Sequence, residues 1–177
     1  MSESYTVPDG TLPLLGGILT MMDFAHRNMI QIIADLPDEA LVWQPASDMG
    51  FLSGIICHTM YVETFAIRCA AGEDVSFSVK YDEAEEDGST WRTAEGREQL
   101  MARISEGDTI MKRILPIMTV AGMEKRFQGF SENSLLSGGY LIAIAATHTT
   151  MHWGHMQMTR QRWEQKHPEF VGTYTPW

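Results

Sequence analysis

Apolar residues near the start of the chain, with one histidine among them, return at three- and four-residue steps: Leu15, Ile18, Leu19, Met22, His26, Met29, Ile30 and Ile33. That spacing is a single helical stripe and predicts a helix over 11–35. Thr11 is the candidate N-cap, Pro13 follows one position later than the ideal slot, and Pro37 is the stop. The connection LPDEALVWQPASDMG has room for one short turn at DEAL. A second helix is predicted over 51–71, ending at Gly72. Residues 73–92 carry Gly, Asp, Ser and the acidic run DEAEED, and read as a loop long enough to be either mobile or part of a site. Thr93 is the candidate cap of a third helix over 94–115, marked by Leu100, Ile104, Ile110, Met111 and Ile114 and stopped by Pro116. No period predicts an element over 116–131. The fourth helix, 133–166, is the longest, with Leu141, Ile144, Ala145, His148, Met151, His152, His155, Thr159 and Trp163 on one stripe. Pro168 ends it and an extended tail, 168–177, follows. The expected architecture is all-α: one four-helix-bundle domain over 1–177, with a core of about 11–166.

Composition narrows the function. The net charge is −10, from 23 acidic and 13 basic residues, and no dense basic patch interrupts it. Nucleic acid and anionic membranes are therefore not expected partners. No apolar run approaches the roughly 20 residues of a bilayer span. The opening MSESYTVPDG lacks the basic and apolar regions of a signal peptide, so a cytoplasmic protein is expected. Cys57 and Cys69 share one predicted helix about 18 Å apart by helical rise, too far to bridge, and are expected to be buried free thiols. The 13 methionines suit core gap-filling or a plastic pocket and do not imply copper.

The chemistry concentrates in HTTMHWGH. His148 and His152, four apart, differ by about 40° in direction and 6 Å in rise, so both imidazoles can reach one metal ion. The HExxH motif of metalloproteases has this spacing, but its catalytic Glu position is Thr149 here, so the chain is not a zincin. Two hydrogen-bonded core histidines are the alternative reading, and a third ligand is needed to move beyond it. His58 supplies one. Phe51, Ile55, Tyr61, Val62 and Phe65 surround its direction, so it too points inward, whereas Cys57 is turned about 100° away and Cys69 lies roughly 16 Å along the helix. Three histidines with open positions are the pattern of a catalytic divalent site, with Zn or Ni as the leading ions.

Two segments carry a resemblance. LPDEALVWQPASDMGFLSGIICHTMYVE and HTTMHWGHMQMTRQRW are similar to the opening and closing motifs of the DinB-like (YfiT-like) superfamily over roughly 11–166. The resemblance implies a bundle with long connections, different from a simple up-down array, and places His58, His148 and His152 on the family's metal triad. Gly154 matches the family's glycine, and His155 stands where Gln is common. The resemblance also implies a homodimer and metal-dependent thiol S-transferase or isomerase chemistry with a low-molecular-weight thiol.

Around the triad, His155 is expected beside the site as a non-ligand, and Tyr61 as a hydrogen-bond donor to a bound species. His26 reads as a hydrogen-bonded core histidine and His167 as solvent-exposed. Glu63, about 140° from His58, reads as structural or interfacial. Arg160 and Arg162 either bind a substrate carboxylate or sit on a solvated helix end. The leading function is a metal-dependent, thiol S-transferase-like enzyme acting on small molecules. The alternatives are a metal-dependent hydrolase, a non-catalytic metal-binding stress-response protein, and an interaction bundle without metal.

Overall fold

The computed structural model of the chain describes residues 5–47, 49–75, 90–130 and 134–175. Four long helices are present: α1 (Pro13–Ala34), α3 (Leu52–Ala70), α4 (Arg97–Ile114) and α6 (Gly138–Lys166). Between them lie the short α2 (Asp38–Leu41), a 3-10 turn (Thr90–Arg92), a second 3-10 turn (Leu115–Ile117) and α5 (Val120–Glu124). A two-stranded antiparallel hairpin, β1 (Arg126–Gln128) and β2 (Leu135–Ser137), pairs Phe127 with Leu136. The acidic run at 82–87 lies outside the described residues. No helix among the described residues is long and apolar enough to cross a membrane.

The helix interiors follow the predicted stripes except at Met151 and His155 of the last helix, which are exposed, and the helix starts differ. The N-cap of α1 is Leu12, because Pro13, which lacks an N–H, occupies the first helical position. Thr11 instead donates its hydroxyl to Pro8 O at 2.7 Å. The third long helix starts at Arg97 because Gly96 is its N-cap, and the Gly96 N–H donates to Gln99 Oε1 at 3.0 Å. Thr93 faces the other way, its carbonyl accepting from the Ser53 hydroxyl. The last helix starts at Gly138 because Leu135–Ser137 are drawn into the hairpin; Ser137 then caps it, accepting from Tyr140 N at 3.2 Å. The end of α3 fits expectation. Gly72 has φ +76°, and Glu73 N bonds back to Arg68 O at 3.1 Å in a left-handed helix stop.

The bundle buries two apolar clusters, one at each end. One gathers Leu15, Leu19 and Met22 of α1 with the second half of α3, the end of α4 and the first half of α6. The other gathers the second half of α1, α2, the first half of α3 and the start of α4 with Met156 and Trp163. Between them the long helices contribute polar or small residues, Asp23 and His26, Glu63, Gly107 and Asp108, and His148, Thr149 and His152, while His58 lies on α3 within the span of the second cluster. Buried polar groups are costly unless paired, so this is where specific contacts must be satisfied. The helices α3 and α6, which carry the triad, form the most extensive helix pair.

Candidate metal centre

His58 on α3 and His148 and His152 on α6 turn their Nε2 atoms toward one another. His148 Nε2 lies 2.8 Å from His58 Nε2 and 3.1 Å from His152 Nε2. One ligand atom from each of the three falls within 4.8 Å of the others. Imidazole nitrogens this close repel through their lone pairs unless a proton or a cation lies between them. A tetrahedral ion with ligands at about 2.0–2.1 Å would hold them roughly 3.4 Å apart, so small ring movements suffice. The His148 ring is oriented from this side alone, for its Nδ1 is buried without a hydrogen-bond partner among the described residues. The donor set and its convergence fit a divalent ion.

Burial keeps the three rings neutral, as ligation requires. It is the larger influence on each, with a neighbouring histidine adding to it. The pKa of His58 falls to about 4 through burial and His152, and that of His148 to about 4 through burial and His58. Burial, His148 and His155 take His152 down to about 3.

His155, one turn beyond His152, is exposed, and its Nδ1 lies 3.2 Å from His152 Nδ1. Were His152 Nε2 to bind an ion, its Nδ1 would carry the proton and His155 Nδ1 would stand within reach to accept it. Tyr61 follows His58 by three residues and is half-buried. It does not line the cavity described below.

A residue that sequence reasoning passed over covers the triad. The Trp91 indole lies 4.2 Å from the His58 ring, centroid to centroid, tilted by 32°, and 5.3 Å from the His152 ring. Its 3-10 turn is clamped to the start of α3: Phe51 N donates to Trp91 O at 2.6 Å. Gly50 and Gly54 permit that approach, since a Cβ on Gly54 would fall 2.2 Å from Trp91 O. The available signal was two glycines flanking the start of α3 and one tryptophan at the end of a polar loop. Their meeting depends on where the Thr90–Arg92 turn lies against α3.

Beside the triad a cavity of about 370 Å³ is walled by Met49, Ile55, Trp91, Arg92, His155, Met158 and Arg162. Trp91 and His155 form the wall toward the ligands, while the three histidines themselves are not in it. Arg162 belongs to this wall. Arg160 does not face a substrate. It is fully buried, and its Nη1 donates to Ile32 O and Asp35 Oδ1, each at 2.6 Å. Asp35 also accepts from the Thr173 hydroxyl at 2.8 Å, and the Tyr174 ring lies 4.8 Å from the Arg160 guanidinium, so Arg160 anchors the C-terminal tail.

The DinB superfamily is matched over residues 21–156, which include the whole triad, Trp91 and His155. The chain belongs to the DinB superfamily. A crystal structure of a conserved protein from Enterococcus faecalis aligns with a TM-score of 0.68 at 12% identity, over 85% of this chain and 97% of that one. A DinB-like protein from Bacillus subtilis aligns with a TM-score of 0.64 at 12% identity, over 91% and 96%. At such identity the likeness is one of fold. No curated protein matches.

Other sequence expectations find their places in this DinB-like fold. Both cysteines are free and buried; burial pushes the Cys57 thiol up to about 12 and raises that of Cys69. His26 is a buried, hydrogen-bonded histidine on α1, bonded to Glu63 Oε2 at 2.9 Å. His167 is half-exposed and stacks on Trp163 with centroids 4.5 Å apart.

Proposed function

We propose that this DinB-superfamily protein is a divalent-metal-dependent enzyme acting on small molecules, with thiol S-transfer as its leading reaction and hydrolysis as the alternative. The observation that carries the reading is the convergence of three neutral imidazole nitrogens next to a cavity with room for a ligand. His58, His148 and His152 would hold Zn or Ni through Nε2. A divalent ion on three neutral ligands keeps its full charge and at least one open position, so when bound it lowers the pKa of a thiol or water.

The chain's own residues do the rest. His155 accepts the Nδ1 proton of His152 and keeps Nε2 free for ligation. Trp91 covers the His58 and His152 rings and sheds water from them. Met49, Ile55 and Met158 give the cavity an apolar floor suited to an electrophilic organic molecule, and His155 can exchange a proton with a group bound there. The exposed Leu14, Met21 and Phe24 of α1 and Tyr140 and Met151 of α6 support a homodimer through this helix pair.

A second reading follows from the triad's absence from the cavity wall: an ion there could serve only to join α3 to α6. Untagged protein, its triple alanine variant at the three histidines and the single variant His152→Ala separate these readings. The enzyme reading expects about one Zn or Ni per chain in the parent, none in the triple variant, and metal-dependent turnover against a panel of thiols with electrophiles and of hydrolysable esters and amides. It also expects His152→Ala to keep its melting temperature and lose turnover. Equal metal content in parent and triple variant removes the site. An unfolded His152→Ala beside an inactive parent establishes the staple.

A further inference from the structure

About 7.5 Å along α3 from His58, by helical rise, one carboxylate is approached by all three other long helices. Glu63 on α3 is fully buried. Its Oε2 accepts from His26 Nε2 of α1 at 2.9 Å and from Thr149 Oγ1 of α6 at 2.6 Å. Its Oε1 faces Gly107 of α4, where a Cβ would stand 3.2 Å away. A glycine inside a helix costs about 1 kcal/mol relative to alanine, and here the missing methyl group leaves the carboxylate its space.

Glu63 lies five residues after His58, and Thr149 lies between the ligands His148 and His152. The Glu63–Thr149 bond therefore joins the same two helices as the triad, about 140° around α3 from His58. A one-residue slip of α6 would turn its side chains by about 100° and shift them by about 1.5 Å, which breaks this bond and carries the His148 and His152 Nε2 atoms together away from His58 Nε2. We infer that Glu63 and Thr149 are positioning residues of the metal centre, their buried bond setting the rotation and register of α6 against α3 so that the ligand nitrogens converge before an ion arrives. The inference rests on the metal-site reading above.

The test uses Zn²⁺ affinity by chelator competition and the visible spectrum of the Co²⁺-loaded protein in three variants. Thr149→Val keeps the side-chain shape, deletes the hydroxyl and leaves the His26–Glu63 pair in place. Thr149→Ser keeps the hydroxyl. Thr150→Val deletes a hydroxyl that, among the described residues, bonds to Ala146 O and Thr147 O of its own helix. Thr149→Val should weaken Zn²⁺ binding by about 10–100-fold and alter the Co²⁺ spectrum. Thr149→Ser and Thr150→Val should keep both at their parent values. Parent affinity and spectrum in Thr149→Val overturn the inference, as does an equal loss in Thr150→Val. If Thr149→Val fails to fold, Thr149→Ser still decides, for a tenfold loss there overturns the inference and parent affinity supports it. A parent that binds no ion overturns the metal-site reading and this inference with it, whereas a binding parent with an unaffected Thr149→Val overturns this inference alone.

Discussion

Exchanging His26 for glutamine removes the positive charge beside Glu63 while keeping a hydrogen-bond donor there. Burial, the largest single influence, pulls the His26 pKa down, but the Glu63 charge and the contacts with Asp108 and Glu63 outweigh it and hold it at about 9, against 6.5 for a free histidine. Because the folded value is the higher one, the stabilisation is fully present below pH 6.5 and is lost as pH rises through about 9. The difference corresponds to about 3 kcal/mol, of which about 2 kcal/mol disappears between pH 6.5 and 8.5. The readout is the stability gap between the parent and His26→Gln, because the triad histidines and the thiols titrate in both proteins and cancel. Urea unfolding of the metal-free proteins, with a slope of about 2 kcal/mol/M, should show the gap in midpoints closing by about 1 M over that range. A gap that stays constant with pH would refute the charged pairing of His26 with Glu63.

Three further outcomes follow from the structure. Metal-free protein should lose stability as pH falls below 6.5, because the unfolded chain protonates its histidines there while His58, His148 and His152 stay neutral down to about 3–4; a triple alanine variant with the same slope between pH 6.5 and 4.5 would contradict this. Gly54→Ala should displace the Thr90–Arg92 turn from the start of α3, at a cost of about 1–3 kcal/mol, since the new Cβ meets backbone and not a flexible side chain; an unchanged melting temperature would show that the turn yields freely. Arg160→Met should destabilise by about 1–3 kcal/mol, because it leaves the buried Ile32 O without its donor and the Asp35 carboxylate without its guanidinium partner, and proteolysis should then cut the tail before the bundle; parent-like resistance would mean that the tail docks without Arg160.

What the chain determines locally was legible from it. Helix interiors and their buried faces follow from a 3.6-residue period acting on the apolar residues of each segment, and this places His58, His148 and His152 inward with no knowledge of the partner helices. The i, i+4 spacing on α6 is likewise a property of one helix. Helix starts were less legible, because competing partners decided them: Ser53 reaches the Thr93 carbonyl, and the hairpin takes residues 135–137 from the last helix. Only the tertiary structure decided what surrounds the triad. Trp91 covers His58 and His152 because its turn lies against Gly50 and Gly54, and Arg160 is an anchor and not a substrate ligand because the tail returns to Asp35. Glu63, pointing away from His58 on its own helix, gains its partners only when α1 and α6 pack beside α3. Periodicity sets the direction of a side chain, but its partners come from helices far away in sequence, brought together by the burial of the two apolar clusters.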